Sequence, residues 1–260
     1  MRSFMRKTII AGNWKMYKTT TEAIELANGL KRELFNLESD IDIVICPPFT
    51  VLSEVGEVIA DSNIQLGAQD TFWQDEGAFT GEVSPLMLKD AGVEFVIIGH
   101  SERRQYFGET NDSVNKKIKA VIQTGLTPIV CVGETLKERE LGETFQVLDD
   151  QLHYGLKDIE EQDILKVVIA YEPVWAIGTG KTATSQQAQE AQKYIRDLLI
   201  KMYNKDTANE VRIQYGGSVK PENISELINQ PDVDGALVGG ASLKIESFTE
   251  ICRRARGVKK

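Results

Sequence analysis

The run Ala170–Thr184, AYEPVWAIGTGKTAT, contains Gly-Thr-Gly-Lys-Thr, a stretch of the kind whose backbone N–H groups wrap phosphate. A nucleotide loop of the form G-x-x-x-x-G-K-[ST] requires glycine at position 175, where the chain has Trp175. The dinucleotide pattern G-x-G-x-x-[GA] is met by Gly178–Ala183, but such glycines should follow a strand directly. Here Pro173–Ile177 intervenes, and the acid expected further on would have to be Asp197, inside a helical pattern. Both nucleotide readings are disfavoured, and the glycines need another use.

Other residues with chemistry to offer stand directly after apolar runs. The first run ends in Asn13 with Lys15 just beyond, the fourth in His100 with Glu102 just beyond, and the sixth in Glu172. The last two run into Tyr215-Gly216-Gly217-Ser218 and Val238-Gly239-Gly240-Ala241. Carboxylate and imidazole move protons near neutral pH, while an ammonium and backbone amides hold anions. Each has an ordinary explanation alone: a solvated lysine, a buried histidine that satisfies one hydrogen bond, a glutamate favouring a helix N-terminus. His153, within a helical pattern, reads as structural. Together, the strand-end residues converge only if the runs are strands of one architecture.

The runs are Thr8–Asn13, Ile41–Pro47, Ile64–Gln69, Phe95–His100, Pro128–Gly133, Val167–Glu172, Arg212–Gly216 and Gly235–Gly239. Several are apolar almost throughout, as suits parallel strands covered on both faces. Helical patterns separate them. Thr19-x-x-Glu22 and Thr184-x-x-Gln187 are capping boxes, each followed by an apolar stripe, and Leu148, Leu152, Leu156 and Ile159 mark another. Eight strands alternating with helices, without a linker rich in Pro, Gly or Ser, predict an α/β fold: a single (β/α)8 barrel domain over 1–260, with 1–5 as an extension. An open doubly wound sheet usually has fewer strands. In a closed barrel, residues after the strands meet at its C-terminal mouth.

The net charge of −9 disfavours nucleic acid as a partner and leaves an anionic substrate dependent on a local cation. The three cysteines, Cys46, Cys131 and Cys252, are widely spaced and read as buried free thiols. No apolar run has the length of a membrane span, and MRSFMRKTII lacks the apolar core of a signal peptide. A cytoplasmic location is expected. No H-E-x-x-H, no paired cysteines and only two distant histidines are present, so neither a metal nor an organic cofactor is expected.

The segments AGNWKMYKT, GAFTGEVSP, IIGHSERRQYFGE, AYEPVWAIGTGKTAT, YGGSVKP and DGALVGGASL resemble the signatures of the triosephosphate isomerase family, in that family's order, from about Arg6 to Ser247. Asp70 departs from the asparagine more usual after GAQ. The resemblance implies interconversion of dihydroxyacetone phosphate and glyceraldehyde 3-phosphate. It makes Glu172 the base, His100 the group that polarises the substrate oxygen as a neutral imidazole, and Lys15 the cation, with Asn13 beside it and Glu102 orienting it. It assigns phosphate to the N–H groups of Gly178, Ser218, Gly239 and Gly240. The opening glycines become part of a lid, with Pro173, Val174 and Trp175 as one hinge, Lys181, Thr182 and Ala183 as the other, and Ala176, Ile177, Gly178, Thr179 and Gly180 as the tip. It also implies a homodimer through the long segment 67–85, in which Thr80 supports Asn13 and Lys15 of the neighbour. The alternatives are another phosphate-binding barrel that isomerises sugar phosphates, or a nucleotide-binding protein. A Schiff-base aldolase would need a lysine on strand six, and Val167–Glu172 has none.

Overall fold

The computed structural model describes residues 6–37, 41–177 and 182–256. The extension 1–5, the lid residues Gly178, Thr179, Gly180 and Lys181, and the tail from 257 lie outside the described residues. Eight parallel strands pair in chain order and close into a barrel. They are β1 (Thr8–Asn13), β2 (Ile41–Cys46), β3 (Ile64–Ala68), β4 (Phe95–Ile98), β5 (Thr127–Val132), β6 (Val168–Tyr171), β7 (Arg212–Tyr215) and β8 (Gly235–Val238). β1 pairs with β2 on one side and with β8 on the other, Ala11 standing opposite both Val44 and Leu237.

The continuous apolarity of the strands follows from this closure, because alternate side chains face two different cores. Ile9 and Ala11 join Val44, Ile97, Ile129 and Val168 in one buried cluster, while Ile10 joins the larger cluster that includes the helix residues Leu26, Leu30 and Leu34. All three cysteines are free and buried. Thr19 and Glu22 form a capping box at the head of the helix Thr20–Leu34. Thr184 and Gln187 form another at the head of Ser185–Met202.

The expected elements are present, with two corrections at their ends. Pro47, Gln69, Gly99, His100, Gly133, Glu172, Gly216 and Gly239 belong to turns after the strands, not to the strands. Apolar spacing does not register where backbone pairing stops, and these residues have left the ladder to build the mouth. The helix Thr144–Gly155 buries Leu148 and Leu152 but ends before Leu156 and Ile159, which are buried in the turn that follows.

The segment 67–85 is anchored at its base by buried ions. Asp70 pairs with Arg103 at 2.8 Å and with Lys117 at 2.7 Å, and Lys117 also meets Glu109 at 2.5 Å. Burial lifts the Asp70 carboxyl above its ordinary range, against the pull of those two cations. Among the described residues no helix is long and apolar enough to cross a membrane.

Candidate active site

β1, β4 and β6 carry their last residues to the same mouth of the barrel, and this brings Asn13, Lys15, His100 and Glu172 together. Asn13 Oδ1 accepts the Lys15 N–H at 3.0 Å. Lys15 itself has φ +53°, a left-handed conformation that a lysine adopts only under constraint. Its ammonium reaches across to Glu102 Oε1 at 2.6 Å. His100 heads the short helix Ser101–Tyr106, and its Nδ1 accepts the Glu102 N–H at 3.2 Å. That bond occupies the Nδ1 lone pair and places the ring proton on Nε2, which lies 3.0 Å from Glu172 Oε1. Glu172 Oε2 accepts the Ser101 N–H at 2.9 Å, whereas Oε1 faces His100 Nε2.

Both groups are buried, His100 at 5% exposure and Glu172 at 1%. Burial alone would raise the Glu172 carboxyl. The facing His100 ring, the Ser101 N–H and the Lys15 ammonium outweigh it and hold the group below the ordinary carboxylate range. Burial likewise opposes a charged His100, but the attraction of Glu172 and then Glu102 moves the ring upward. The two shifts express one attraction between neighbours.

A cavity of about 390 Å³ opens beside these groups. Ser218, Gly239 and Gly240 line it too, as does Ile177 from the segment expected to form a lid. Gly240 begins a one-turn helix, Gly240–Leu243, and a Cβ on Gly239 would stand 3.5 Å from Lys15 Cε, so the Gly239–Gly240 backbone and the lysine side chain bound the same space. In the segment expected to form a lid, Val174–Ala176 form a short turn, Trp175 Nε1 donates to Glu134 Oε1 at 2.9 Å, and Ala183 packs into the core. Burial pushes the Tyr215 phenol beside Ala183 up to about 12, so it stays protonated. Thr80 is exposed and does not line the cavity.

Three residues that sequence reasoning passed over have definite places. Ser101 supplies the N–H that holds Glu172. Glu134, fully buried, receives the Tyr171 hydroxyl, Trp175 Nε1 and Arg139 Nη1, and so ties Trp175 to β6. It follows β5 as Glu172 follows β6, so the same strand-end rule would have found it. Gln69, after β3, meets the Lys15 backbone.

Gly216 provides the room in which Glu172 lies: a Cβ there would come within 2.9 Å of Glu172 Cγ. Gly216→Ala is expected to leave a folded barrel while displacing the carboxylate, lowering kcat by up to about 10²-fold. Circular dichroism beside steady-state kinetics checks this.

A closed barrel presenting a carboxylate, an imidazole and an ammonium around a glycine-walled cavity defines a barrel enzyme for proton transfer on a small anionic substrate. A family model described as Triosephosphate isomerase matches residues 8–255. The triosephosphate isomerase of Geobacter metallireducens is 59% identical over 247 residues, covering 95% of this chain and 98% of the relative. That of Carboxydothermus hydrogenoformans is 58% identical over 252 residues, covering 96% and 99%. That of Thermoanaerobacter pseudethanolicus is 56% identical over 247 residues, covering 95% and 99%. The chain belongs to the triosephosphate isomerase family.

Proposed function

We propose that the chain interconverts dihydroxyacetone phosphate and D-glyceraldehyde 3-phosphate, the step that joins the two trioses in glycolysis and gluconeogenesis, as one (β/α)8 domain spanning 1–260. The observation that carries the catalytic assignment is the buried Glu172 carboxylate at the cavity, its Oε1 3.0 Å from His100 Nε2. Glu172 removes a proton from the hydroxyl-bearing carbon next to the substrate carbonyl. The electron pair moves onto the carbonyl oxygen, where His100 Nε2–H and the Lys15 ammonium stabilise the enediolate. The same carboxyl returns the proton to the neighbouring carbon, and the His100 ring helps move the proton between the two oxygens. With substrate between them, the carboxylate no longer faces the ring at close range. His100 then lies at the positive end of its helix, which favours neutral imidazole.

Asn13 and Glu102 hold Lys15 from opposite ends. The substrate phosphate sits against the N–H groups of Ser218, Gly239 and Gly240, and that of Gly178 joins when the lid closes. Closure over 173–183 excludes water and keeps the enediolate from expelling phosphate. A coupled assay for triose phosphate isomerisation, with calorimetry for 2-phosphoglycolate against ATP and NAD, tests the reading. Absence of turnover, or ATP or NAD bound more tightly than 2-phosphoglycolate, would sink it.

The working form is a cytoplasmic homodimer joined through 67–85. A second cavity, of about 260 Å³, lies on the outer side of Lys15, bounded by Phe49, Gln69, Glu102 and Phe107, and Met16 beside it is 92% exposed. Its position suits the loop tip of a second copy carrying Thr80. Activity per chain is expected to fall on dilution in step with dissociation seen by sedimentation. Full activity in a sample that sediments as monomer would contradict the dimer.

A further inference from the structure

Lys15 occupies an unfavourable backbone conformation, and within a single chain the residues directly after it are exposed. Trp14 before it is fully buried, but Met16 after it is almost fully exposed, Tyr17 is more than half exposed, and Lys18 again has a left-handed φ, +80°. Glu102 fixes the ammonium and Asn13 the N–H, which leaves the carbonyl. The Gln69 side chain reaches it: Nε2 donates to Lys15 O at 2.8 Å and to Cys46 O at 2.9 Å. Cys46 O, at the end of β2, also accepts the Trp14 N–H at 3.1 Å. One amide group thus pins the turn that carries Lys15 to the end of the neighbouring strand. The orientation of the amide is dictated by its partners, because a flipped group would set its oxygen against two carbonyls.

We propose that Gln69 is a positioning residue for the isomerisation, holding Lys15 in its left-handed conformation so that the ammonium points at the cavity shared with Glu172 and His100. It acts through Lys15 and does not touch substrate. Gln69 precedes Asp70, whose pairing with Arg103 secures the helix that bears Glu102. The end of β3 therefore grips the lysine twice, at its backbone and, through that helix, at its charge. The role presupposes that Lys15 engages the substrate, as proposed above.

Two substitutions test it. Gln69→Met keeps the length of the side chain and removes both donated hydrogens. Gln69→Glu keeps the shape, but its ionised oxygens face two carbonyls, whereas its protonated form again donates one hydrogen bond. Gln69→Met is expected to lower kcat/KM by on the order of tenfold to a hundredfold and to weaken 2-phosphoglycolate binding, measured by calorimetry. In a Lys15→Ala background the same change should alter that affinity less than twofold, since no lysine remains to be positioned. The kcat/KM of Gln69→Glu relative to wild type should rise as pH is lowered. An equal loss of affinity in both backgrounds, or wild-type kinetics in folded Gln69→Met, overturns the role of Gln69. If Gln69→Met does not fold, a pH-independent ratio for Gln69→Glu overturns it. Unchanged kinetics and affinity in Lys15→Ala alone would instead remove the assignment of Lys15 on which the role rests.

Discussion

Replacing Glu172 by aspartate is expected to lower kcat by about 10²-fold or more, because the base is withdrawn by roughly one bond length from the carbon it must reach. The substrate phosphate would meet other groups, so affinity for 2-phosphoglycolate should change little. Glu172→Gln removes the base altogether and should cost as much or more, within the 10²–10⁴ range of a general base. An aspartate enzyme with wild-type kcat would show that some other group takes the proton. The pH dependence follows from the direction of the shift. Glu172 is held below the ordinary carboxylate range, so it stays ionised through neutral and mildly acidic pH. kcat/KM should fall on the acid side only as pH drops through that lowered value. The same linkage means that ionised Glu172 favours the folded chain above the unfolded carboxyl pKa of about 4.3, and that this contribution is lost as pH falls through the folded value.

The second large effect is expected at Lys15. The chain is acidic overall, at −9, so attraction of a phosphate dianion cannot come from its general field. The Lys15 ammonium, beside Gly239 and bridged to Glu102 at 2.6 Å, lines the cavity together with Lys220 and is the cation that acts on Glu172 and His100. Lys15→Ala should therefore lower kcat/KM by on the order of 10²–10³, with both a raised KM and a reduced kcat, because the charge meets the phosphate and the developing enediolate. A change confined to KM would mean that Lys15 binds the phosphate but does nothing for the intermediate.

Much of this site was legible because a parallel barrel gathers whatever follows its strands. Asn13, His100, Glu172 and Gly239 are far apart in the chain, yet each lies within a residue or two of a recognisable apolar run. What escaped was the support. Ser101 contributes a backbone N–H, which any residue type offers, so nothing in its identity signals the bond to Glu172. Gln69 was counted as the last residue of a strand, and only the turn of Lys15 toward it gives its amide a purpose. Glu134 stood in plain view after β5, but its partners Trp175 and Tyr171 are brought to it by β6 pairing beside β5. Periodicity identifies elements, whereas these bonds depend on where the backbone leaves the ladder.

The pairing of β1 with β8 has a consequence for synthesis. While the polypeptide emerges from the ribosome, its first strand waits for its last, and every shorter nascent chain carries two unpaired sheet edges. A product stopped before Gly235 lacks both the closing strand and the Gly239–Gly240 wall of the cavity, so it would expose open strands to other chains without catalysing anything.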